Sequence, residues 1–270
     1  MNSLTKRMHE LKAEGKKALI PFLTAGDPDF SSTAELLPVL AENGADVIEL
    51  GVPFSDPLAD GPVLQAAAGR ALAAGATPDC VFRLVREFRQ NFATPVVLLV
   101  YYNNIFRLGT DRFCKQAALA GVDGLVVPDL PFEEAGELDI AAAECGLINI
   151  RFVSPTTTDR RLEKICETAA GFIYCVSVAG VTGERSELDG RVAGLVRRAA
   201  AFTAVPVIVG FGISTPRQAA DAASVADGVI VGSALVARLA AEKEVEQKVK
   251  VAAEFISSLQ AALKGEKESV

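Results

Sequence analysis

Three patterns in the sequence predict an α/β fold made of eight repeated strand–helix units. Eight short apolar runs are rich in β-branched residues, and a segment with helical spacing follows each of them. The runs are continuously apolar rather than alternating, as in parallel strands that are covered on both faces. Eight such units within 270 residues predict a single (β/α)8, or TIM, barrel. A doubly wound open sheet is the alternative, because strand number is hard to derive from one sequence.

The predicted strands and helices alternate along the chain. The strands are Ala18–Leu23, Asp46–Leu50, Pro95–Val100, Gly124–Val127, Ile148–Val153, Gly171–Val176, Pro206–Gly210 and Asp227–Val231. The helices that follow them are Thr33–Asn43, Asp79–Asn91, Asp111–Ala120, Glu133–Cys145, Asp159–Ala169, Leu188–Ala201, Thr215–Ala223 and Ser233–Ala241. Apolar residues at helical spacing predict two extra helices, N-terminal Leu4–Glu14 and C-terminal Glu242–Lys264. No linker interrupts this pattern, so we expect one domain over 1–270, with 265–270 as a disordered tail.

The composition argues against a nucleic-acid-binding, disulfide-bonded or membrane protein. The formal net charge is -7 and tryptophan is absent, whereas nucleic-acid binding needs a basic face and usually aromatic stacking, so we expect no nucleic-acid partner. The five cysteines are odd in number and widely spaced, which indicates reduced thiols rather than disulfides or a zinc site. No apolar run reaches membrane-spanning length, and the first residues lack the apolar segment of a signal peptide. We therefore expect no membrane association and a cytoplasmic location.

Two carboxylates form the first candidate site. Glu49 lies inside the apolar run Asp46–Leu50, and Asp60 lies on the Pro- and Gly-rich loop that leaves it. Burial disfavours the carboxylate anion and raises its pKa, which suits a group that donates and accepts protons. The interval before the next predicted strand is the longest in the chain, as expected for a functional insertion at the catalytic end of a barrel. The alternative is a structural glutamate that pairs with an arginine.

Glycine-rich turns at three late strand ends form the second candidate site. They read Gly180-Val181-Thr182-Gly183, Gly210-Phe211-Gly212-Ile213-Ser214 and Gly232-Ser233-Ala234, and the last two open helices. Glycine lets the backbone approach a ligand closely, and the N–H groups at a helix start bind phosphate without a cationic side chain. Barrels often hold phosphate after strands seven and eight, so we expect a phosphate-ester substrate. The alternative is a set of ordinary strand-to-helix turns.

Several types of catalytic residue are absent from the predicted strand ends, and their absence limits the reactions that the site can catalyse. No lysine lies at the C-terminal end of a predicted strand, which disfavours a Schiff base. The single histidine, His9, lies on the first predicted helix, so neither a Ser–His pair nor a cluster of metal ligands is expected at the site. The remaining chemistry is proton transfer by carboxylates on a phosphorylated substrate that supplies its own electron sink.

Several motifs occur together in one known family. They are Pro21-Phe22-Leu23-Thr24-Ala25-Gly26-Asp27-Pro28, Ile48-Glu49-Leu50-Gly51-Val52-Pro53-Phe54-Ser55-Asp56-Pro57, Ala59-Asp60-Gly61-Pro62, Pro128-Asp129-Leu130-Pro131, Tyr174-Cys175-Val176-Ser177 and the first two glycine turns above. From Phe22 to Ser233 the chain resembles the tryptophan synthase α subunit family. The loop from Glu49 to Asp60 is much more specific to that family than the glycine turns are.

The resemblance implies a carbon–carbon lyase that cleaves indole-3-glycerol phosphate to indole and glyceraldehyde 3-phosphate in tryptophan biosynthesis. Protonation of the indole ring at C3 would provide the electron sink, so neither a lysine nor a metal nor another cofactor is needed in this chain. By analogy with the family, Glu49 would move the protons and Asp60 would accept a hydrogen bond from the indole N–H. Tyr174 would support Glu49 or line the pocket, the alternative being a core aromatic residue.

The resemblance also implies the rest of the substrate pocket. Phe22, Leu99, Tyr101 and Phe211 would surround indole, Thr182 would belong to a closing loop, and Gly183, Gly212, Gly232 and Ser233 would bind phosphate. From sequence alone the four apolar positions could equally be barrel filling. Asn104 departs from the family, because many relatives have proline there, and this change bears on the local turn and on contact with a partner.

A partner is implied by the resemblance alone. The family works as an α2β2 heterotetramer in which the β subunit carries pyridoxal phosphate and receives indole. Loop residues expected to face that subunit are Pro53, Phe54, Asp56, Pro57 and Asn103. Two other functions stay open: another phosphate-handling barrel enzyme such as an isomerase or epimerase, and a catalytically silent barrel that binds a phosphorylated ligand and regulates a partner.

Overall fold

The computed structural model describes residues 1–176, 190–210 and 212–265, and within them strands and helices alternate. The strands are β1 Ala18–Thr24, β2 Ile48–Gly51, β3 Val96–Leu99, β4 Gly124–Val126, β5 Ile148–Asn149, β6 Arg151–Val153, β7 Ile173–Val176, β8 Val207–Gly210 and β9 Gly228–Val231. The helices are α1 Ser3–Ala13, α2 Phe30–Glu42, α3 Pro62–Ala73, α4 Pro78–Phe88, α5 Tyr102–Leu108, α6 Thr110–Ala120, α7 Gly136–Glu144, α8 Asp159–Glu167, α9 Gly190–Phe202, α10 Pro216–Ala223, α11 Ser233–Ala241 and α12 Val245–Leu263. A 3-10 turn, Phe132–Glu134, precedes α7.

The strands form one parallel sheet that curves into a barrel. Their order in the sheet is β5-β4-β3-β2-β1-β9-β8-β7-β6. The two end strands, β5 and β6, are consecutive halves of one segment that changes its pairing from β4 to β7 around Ile150. One segment therefore begins and ends the sheet, and the predicted (β/α)8 barrel with an extra helix at each end is confirmed.

The element boundaries differ from the prediction in a few places. Helix α5 was not predicted, because the segment from Tyr102 to Leu108 is too short to display a helical period. The predicted helix Glu133–Cys145 divides into a 3-10 turn and α7, and the predicted helix Leu188–Ala201 is described only from Gly190 onward. Most of the expected tail, 266–270, lies outside the described residues. No described helix is long and apolar enough to cross a membrane.

Both faces of the strands are buried, which explains their unbroken apolar runs. In β1, Ile20 packs inside the barrel, whereas Leu19 and Leu23 pack outward against the helical layer. Helix α1 contributes Leu4 and Met8 to the inner cluster, so it closes the barrel at the N-terminal ends of the strands. The opposite end, where the strands finish, is left for the site.

Three aspartates at strand starts hold the register of the sheet. The amides of Leu19, Val96 and Val207 each donate to the carboxylate of the aspartate that precedes the neighbouring strand, Asp46, Asp123 or Asp227, at 2.8 Å. Each aspartate also donates its own amide to the carbonyl of the same partner residue, at 2.8 to 2.9 Å. Because each aspartate makes two hydrogen bonds to one residue of the neighbouring strand, the two strands can pair in only one register. Asp46 was predicted as a strand residue, but it lies just before β2 and performs this pairing instead.

Asp46→Ala should destabilise the barrel. The substitution leaves the buried amide of Leu19 without its carboxylate acceptor and removes the 2.6 Å ion pair with Arg7. We expect the free energy of unfolding to fall by about 2 to 4 kcal/mol, as measured by urea titration. Glu10→Ala removes an exposed partner of the same arginine, at 3.8 Å, and should change stability by less than about 0.5 kcal/mol. Equal losses in the two variants would contradict the role given to Asp46.

Candidate active site

A cavity of about 530 Å³ opens at the C-terminal ends of the strands. Its described lining comes from β1, β2, β3, β7 and β9, from α3 and the loop before it, from the turn after β8, and from Gly232 and the first turn of α11. The residues are Phe22, Glu49, Asp60, Gly61, Leu64, Leu99, Tyr174, Gly212, Ile213, Ser214, Ile230, Gly232, Ser233 and Ala234. None of these residues is a lysine, arginine or histidine. The wall is mostly apolar, with two carboxylates and one phenol as its ionisable groups.

Glu49 is almost completely buried. It lies on β2 in register with Phe22 and Val97 and is 1% exposed. Neither of its carboxyl oxygens has a hydrogen-bond partner in the described part of the chain. Loss of solvation, and secondarily the nearby charge of Asp60, raise the pKa of Glu49 to about 8. Glu49 therefore holds a proton at neutral pH, and the arginine ion pair considered from sequence is absent among the described residues.

Asp60 occupies a more polar position than Glu49, on the loop that leads into α3. Burial raises the pKa of Asp60, and a hydrogen bond with the hydroxyl of Tyr101 acts in the opposite direction. The same hydroxyl accepts a hydrogen bond from the backbone N–H of Ala59 at 3.1 Å. The Tyr101 ring stacks on the Phe54 ring, and the two ring centroids are 5.2 Å apart. Tyr101 thus supports the loop that carries Asp60.

Tyr174 is a buried phenol on β7 that lines the same cavity as Glu49. Burial, followed by the charges of Glu49 and Asp60, raises the pKa of Tyr174 well above its ordinary value, so the hydroxyl keeps its proton. A Cβ atom at Gly210 would lie 2.5 Å from the Tyr174 ring, and one at Gly51 would lie 2.6 Å from the ring of Phe22. These glycines let the two aromatic rings lie flat against the neighbouring strands.

The cavity lining also includes the first turn of α11 and the turn after β8. Helix α11 begins at Ser233 after Gly232, and no side chain caps it. The amides of Ser233 and Ala234 lie in the first turn, where helix geometry provides no acceptor. Gly212, with a φ of +78°, lies in the adjacent turn after β8. These amides are suited to an anionic group.

The predicted site residues fall into three groups. Those that line the cavity are Glu49, Asp60, Tyr174, Phe22, Leu99, Gly212, Gly232 and Ser233. Tyr101 lies beside the site behind Asp60, while Thr182, Gly183 and Phe211 lie outside the described residues. Sequence reasoning did not select Gly61, Leu64, Ile213, Ser214, Ile230 and Ala234. Leu64 could have been found from its position one helical turn after Asp60, whereas Ile230 is indistinguishable from any strand residue.

The raised pKa of Glu49 predicts a dependence of stability on pH. The unfolded chain releases this proton near the ordinary value of 4.5, whereas the folded protein keeps it to about pH 8. Stability from this group is therefore full at low pH and falls as the pH rises between those values. Glu49→Gln cannot lose a proton, so its stability relative to wild type should rise by a few kcal/mol, as an order of magnitude, across this interval.

Urea unfolding of both proteins at a series of pH values measures this difference. Glu167→Gln, on the exposed surface of α8, serves as the matched control and should run parallel to wild type. Parallel curves for Glu49→Gln and wild type would show that Glu49 is ionised in the folded protein.

Comparison with known proteins agrees with this geometry. The family model described as Tryptophan synthase alpha chain matches residues 8–264. The tryptophan synthase alpha chain of Prochlorococcus marinus (strain MIT 9313) is 53% identical over 240 residues, which are 88% of this chain and 87% of that protein. The one from Trichormus variabilis is 49% identical over 265 residues, covering 98% and 99%. The crystal structure of tryptophan synthase subunit alpha from Legionella pneumophila str. Paris has a TM-score of 0.89 at 40% identity and covers 98% of this chain and 99% of that one. This chain belongs to the tryptophan synthase alpha chain family.

Proposed function

We propose that this chain is a lyase of tryptophan biosynthesis that cleaves indole-3-glycerol phosphate to indole and glyceraldehyde 3-phosphate. The observation that carries this proposal is Glu49, a buried carboxylic acid without a hydrogen-bond partner among the described residues, which faces the same cavity as Asp60. A group with a pKa of about 8 can both give and take a proton near neutral pH.

Glu49 performs the first proton transfer. Its carboxylic acid donates a proton to C3 of the indole ring, which makes that carbon tetrahedral and leaves a positive charge on the ring nitrogen. The Asp60 carboxylate accepts a hydrogen bond from the N–H of this cation and stabilises the positive charge as it develops. The two carboxyl groups divide the work because their surroundings differ: Glu49 is enclosed by the barrel, and Asp60 has Tyr101 as a hydrogen-bond partner.

Glu49 then takes back a proton. Its carboxylate removes the proton of the hydroxyl on the side-chain carbon attached to C3, and a carbon–oxygen double bond forms there. The bond between that carbon and C3 breaks, and its electrons return to the ring to neutralise the cation. Indole and the aldehyde leave, and Glu49 is again protonated. We assign to Tyr174 the support of Glu49, because this protonated phenol lines the same cavity and is influenced by the charge of that carboxyl group.

The cavity matches the shape and polarity of this substrate. Its volume of about 530 Å³ is within the range of small-molecule sites. We assign the indole ring to the apolar wall of Phe22, Leu99, Leu64 and Ile230, with Tyr101 behind it and Phe211 as a further predicted contact. The phosphate is assigned to the amides around Gly212, Gly232 and Ser233, with Gly183 and the closing-loop residue Thr182 kept from the sequence as predictions.

The two other functions are less well supported. An isomerase or epimerase would use a lysine, a histidine or a metal at the strand ends, and the described lining has neither of those side chains. Within the described residues, no group of three or more His, Cys, Asp or Glu side chains could hold a metal ion. A silent binding module would have no use for an unpartnered buried acid, which destabilises the fold.

The family implies a β-subunit partner, and we propose where it binds. Pro53, Phe54, Asp56 and Pro57 lie on the loop between Glu49 and Asp60. Asp56 and its neighbour Leu58, which is 91% exposed, form the surface of this loop, whereas Pro53 and Pro57 are buried and support it from within. Helix α5, which follows β3, joins this surface, because the side-chain amide of Asn104 donates to the carbonyl of Pro53 at 3.4 Å. Neighbouring Asn103 and the 70% exposed Phe106 extend it. A partner bound there contacts the loop that holds Asp60.

The partner supplies what this chain lacks for the complete synthesis of tryptophan. We propose that pyridoxal phosphate is held by the β subunit, which receives the indole in an α2β2 assembly, and that this chain needs no cofactor of its own. We also propose a cytoplasmic location, which is supported by five cysteines that are all free.

Purified protein incubated with indole-3-glycerol phosphate, with and without a β subunit, should release indole. Glu49→Gln should lower the rate by about a hundredfold or more, because it removes the proton carrier and preserves the shape of the side chain. Residual activity within about tenfold of wild type would exclude the role of Glu49 in proton transfer.

Asp60→Asn in the same assay should lower turnover strongly and change substrate affinity less, because Asp60 acts on the charged intermediate. If only the affinity changes, Asp60 positions the substrate without stabilising the cation.

Gly212→Val should weaken binding of a phosphate-bearing ligand. The added side chain blocks approach of the phosphate to the backbone, so affinity for indole propanol phosphate should fall much more than affinity for indole propanol, which has no phosphate. Gly75→Val is the matched control, since Gly75 also has a positive φ, +85°, and open space around it, but lies away from the cavity. Calorimetric titration measures the affinities of wild type and of both variants for the two ligands, and equal losses for the two ligands at Gly212 would show that this glycine serves the fold alone.

A further inference from the structure

Two separate segments must keep a fixed distance for the proposed phosphate site to exist. One is the turn after β8, with Gly212 and Ser214, and the other is the first turn of α11, with Ser233 and Ala234. They are joined in sequence only through α10 and β9. Something other than the chain connection has to hold their backbones together.

Arg238 connects these two segments from behind. Its Nη1 atom donates to the carbonyl of Ala234 at 2.9 Å, and its Nη2 atom donates to the carbonyl of Ser214 at 3.2 Å. Both acceptors belong to residues that line the cavity, whereas Arg238 itself is not part of the lining. One planar guanidinium group therefore bridges the two turns that face the anion.

The guanidinium is itself held in place by α12. Its Cζ atom lies 4.0 Å from the centroid of the Phe255 ring, and Phe255 is buried. Lysine cannot reproduce this arrangement, because a planar group that stacks on an aromatic ring and donates in two directions is specific to arginine. The other end of α11 is anchored to α12 as well, through the hydrogen bond from the Lys248 Nζ atom to the carbonyl of Leu239 at 2.6 Å.

We propose that Arg238 is a positioning residue for the phosphate: it sets the distance between the turn after β8 and the start of α11, and its charge favours the anion from behind the backbone. The inference rests on the proposed function, because it takes the phosphate to lie against these amides. Arg238 acts on binding of the phosphate and not on proton transfer, which belongs to Glu49 and Asp60.

Arg238→Met tests the proposal with two ligands. We expect its dissociation constant for indole propanol phosphate to rise about tenfold, the effect of losing two hydrogen bonds to the backbone, while that for indole propanol stays within about twofold. In cleavage of indole-3-glycerol phosphate, KM should rise and kcat should change little. Arg238→Lys keeps the charge but not the bridge, so it should recover part of the affinity; it also provides the test if Arg238→Met does not fold.

Arg198→Met is the matched control. Arg198 also joins a carbonyl, that of Thr157 at 2.6 Å, to a second acceptor, Asp159, but on α8 and α9 away from the cavity. It should leave both affinities unchanged. Equal losses for the two ligands in Arg238→Met, or no loss, would overturn the role of Arg238. If wild type itself binds indole propanol phosphate no better than indole propanol, the proposed phosphate site is wrong and the inference falls with it.

Discussion

The inward direction of Glu49 depends on the register between β1 and β2. Successive side chains of a strand point to opposite faces, so a shift of one residue would turn Glu49 out of the barrel and into the helical layer. Asp46 prevents this shift, because it both donates to the carbonyl and accepts from the amide of Leu19. Asp123 and Asp227 repeat the arrangement at β4 and β9. The chemistry of the cavity thus begins with hydrogen bonds at the far end of the barrel.

Burial of Glu49 has opposite effects on stability and on the proton transfer that we propose for it. An apolar barrel interior raises the pKa of the carboxyl group to about 8, and any ionisation at high pH destabilises the fold. The same environment provides a proton donor at neutral pH without a metal or a cofactor. Asp60 lies on a loop, in contact with the Tyr101 hydroxyl, and so is better suited to remain an anion. The difference between strand and loop separates the two roles.

The side of the cavity that we propose for the phosphate offers backbone amides, whereas the side that we propose for indole offers side chains. Its amides come from two turns that Arg238 joins by hydrogen bonds, and the Arg238 guanidinium stacks on Phe255 of α12. The extra C-terminal helix therefore does more than cover the barrel. It contacts the helix whose first turn lines the cavity, and it does so without placing a cation in the described lining.

The barrel, the two carboxylates and the glycine turns were predictable from sequence, because each depends on a local pattern. Continuous apolar runs indicate buried parallel strands, a lone glutamate in such a run is conspicuous, and Gly212 and Gly232 stand where strands end. Helix α5 escaped prediction because its seven residues show too little periodicity. The closed order of the sheet, the pairing of Asp46 with Leu19 and the bridge from Arg238 to Ser214 were decided by the tertiary structure. Each of these joins residues far apart in the chain, and a hydrogen bond between distant groups leaves no periodic signal in the sequence that encodes it.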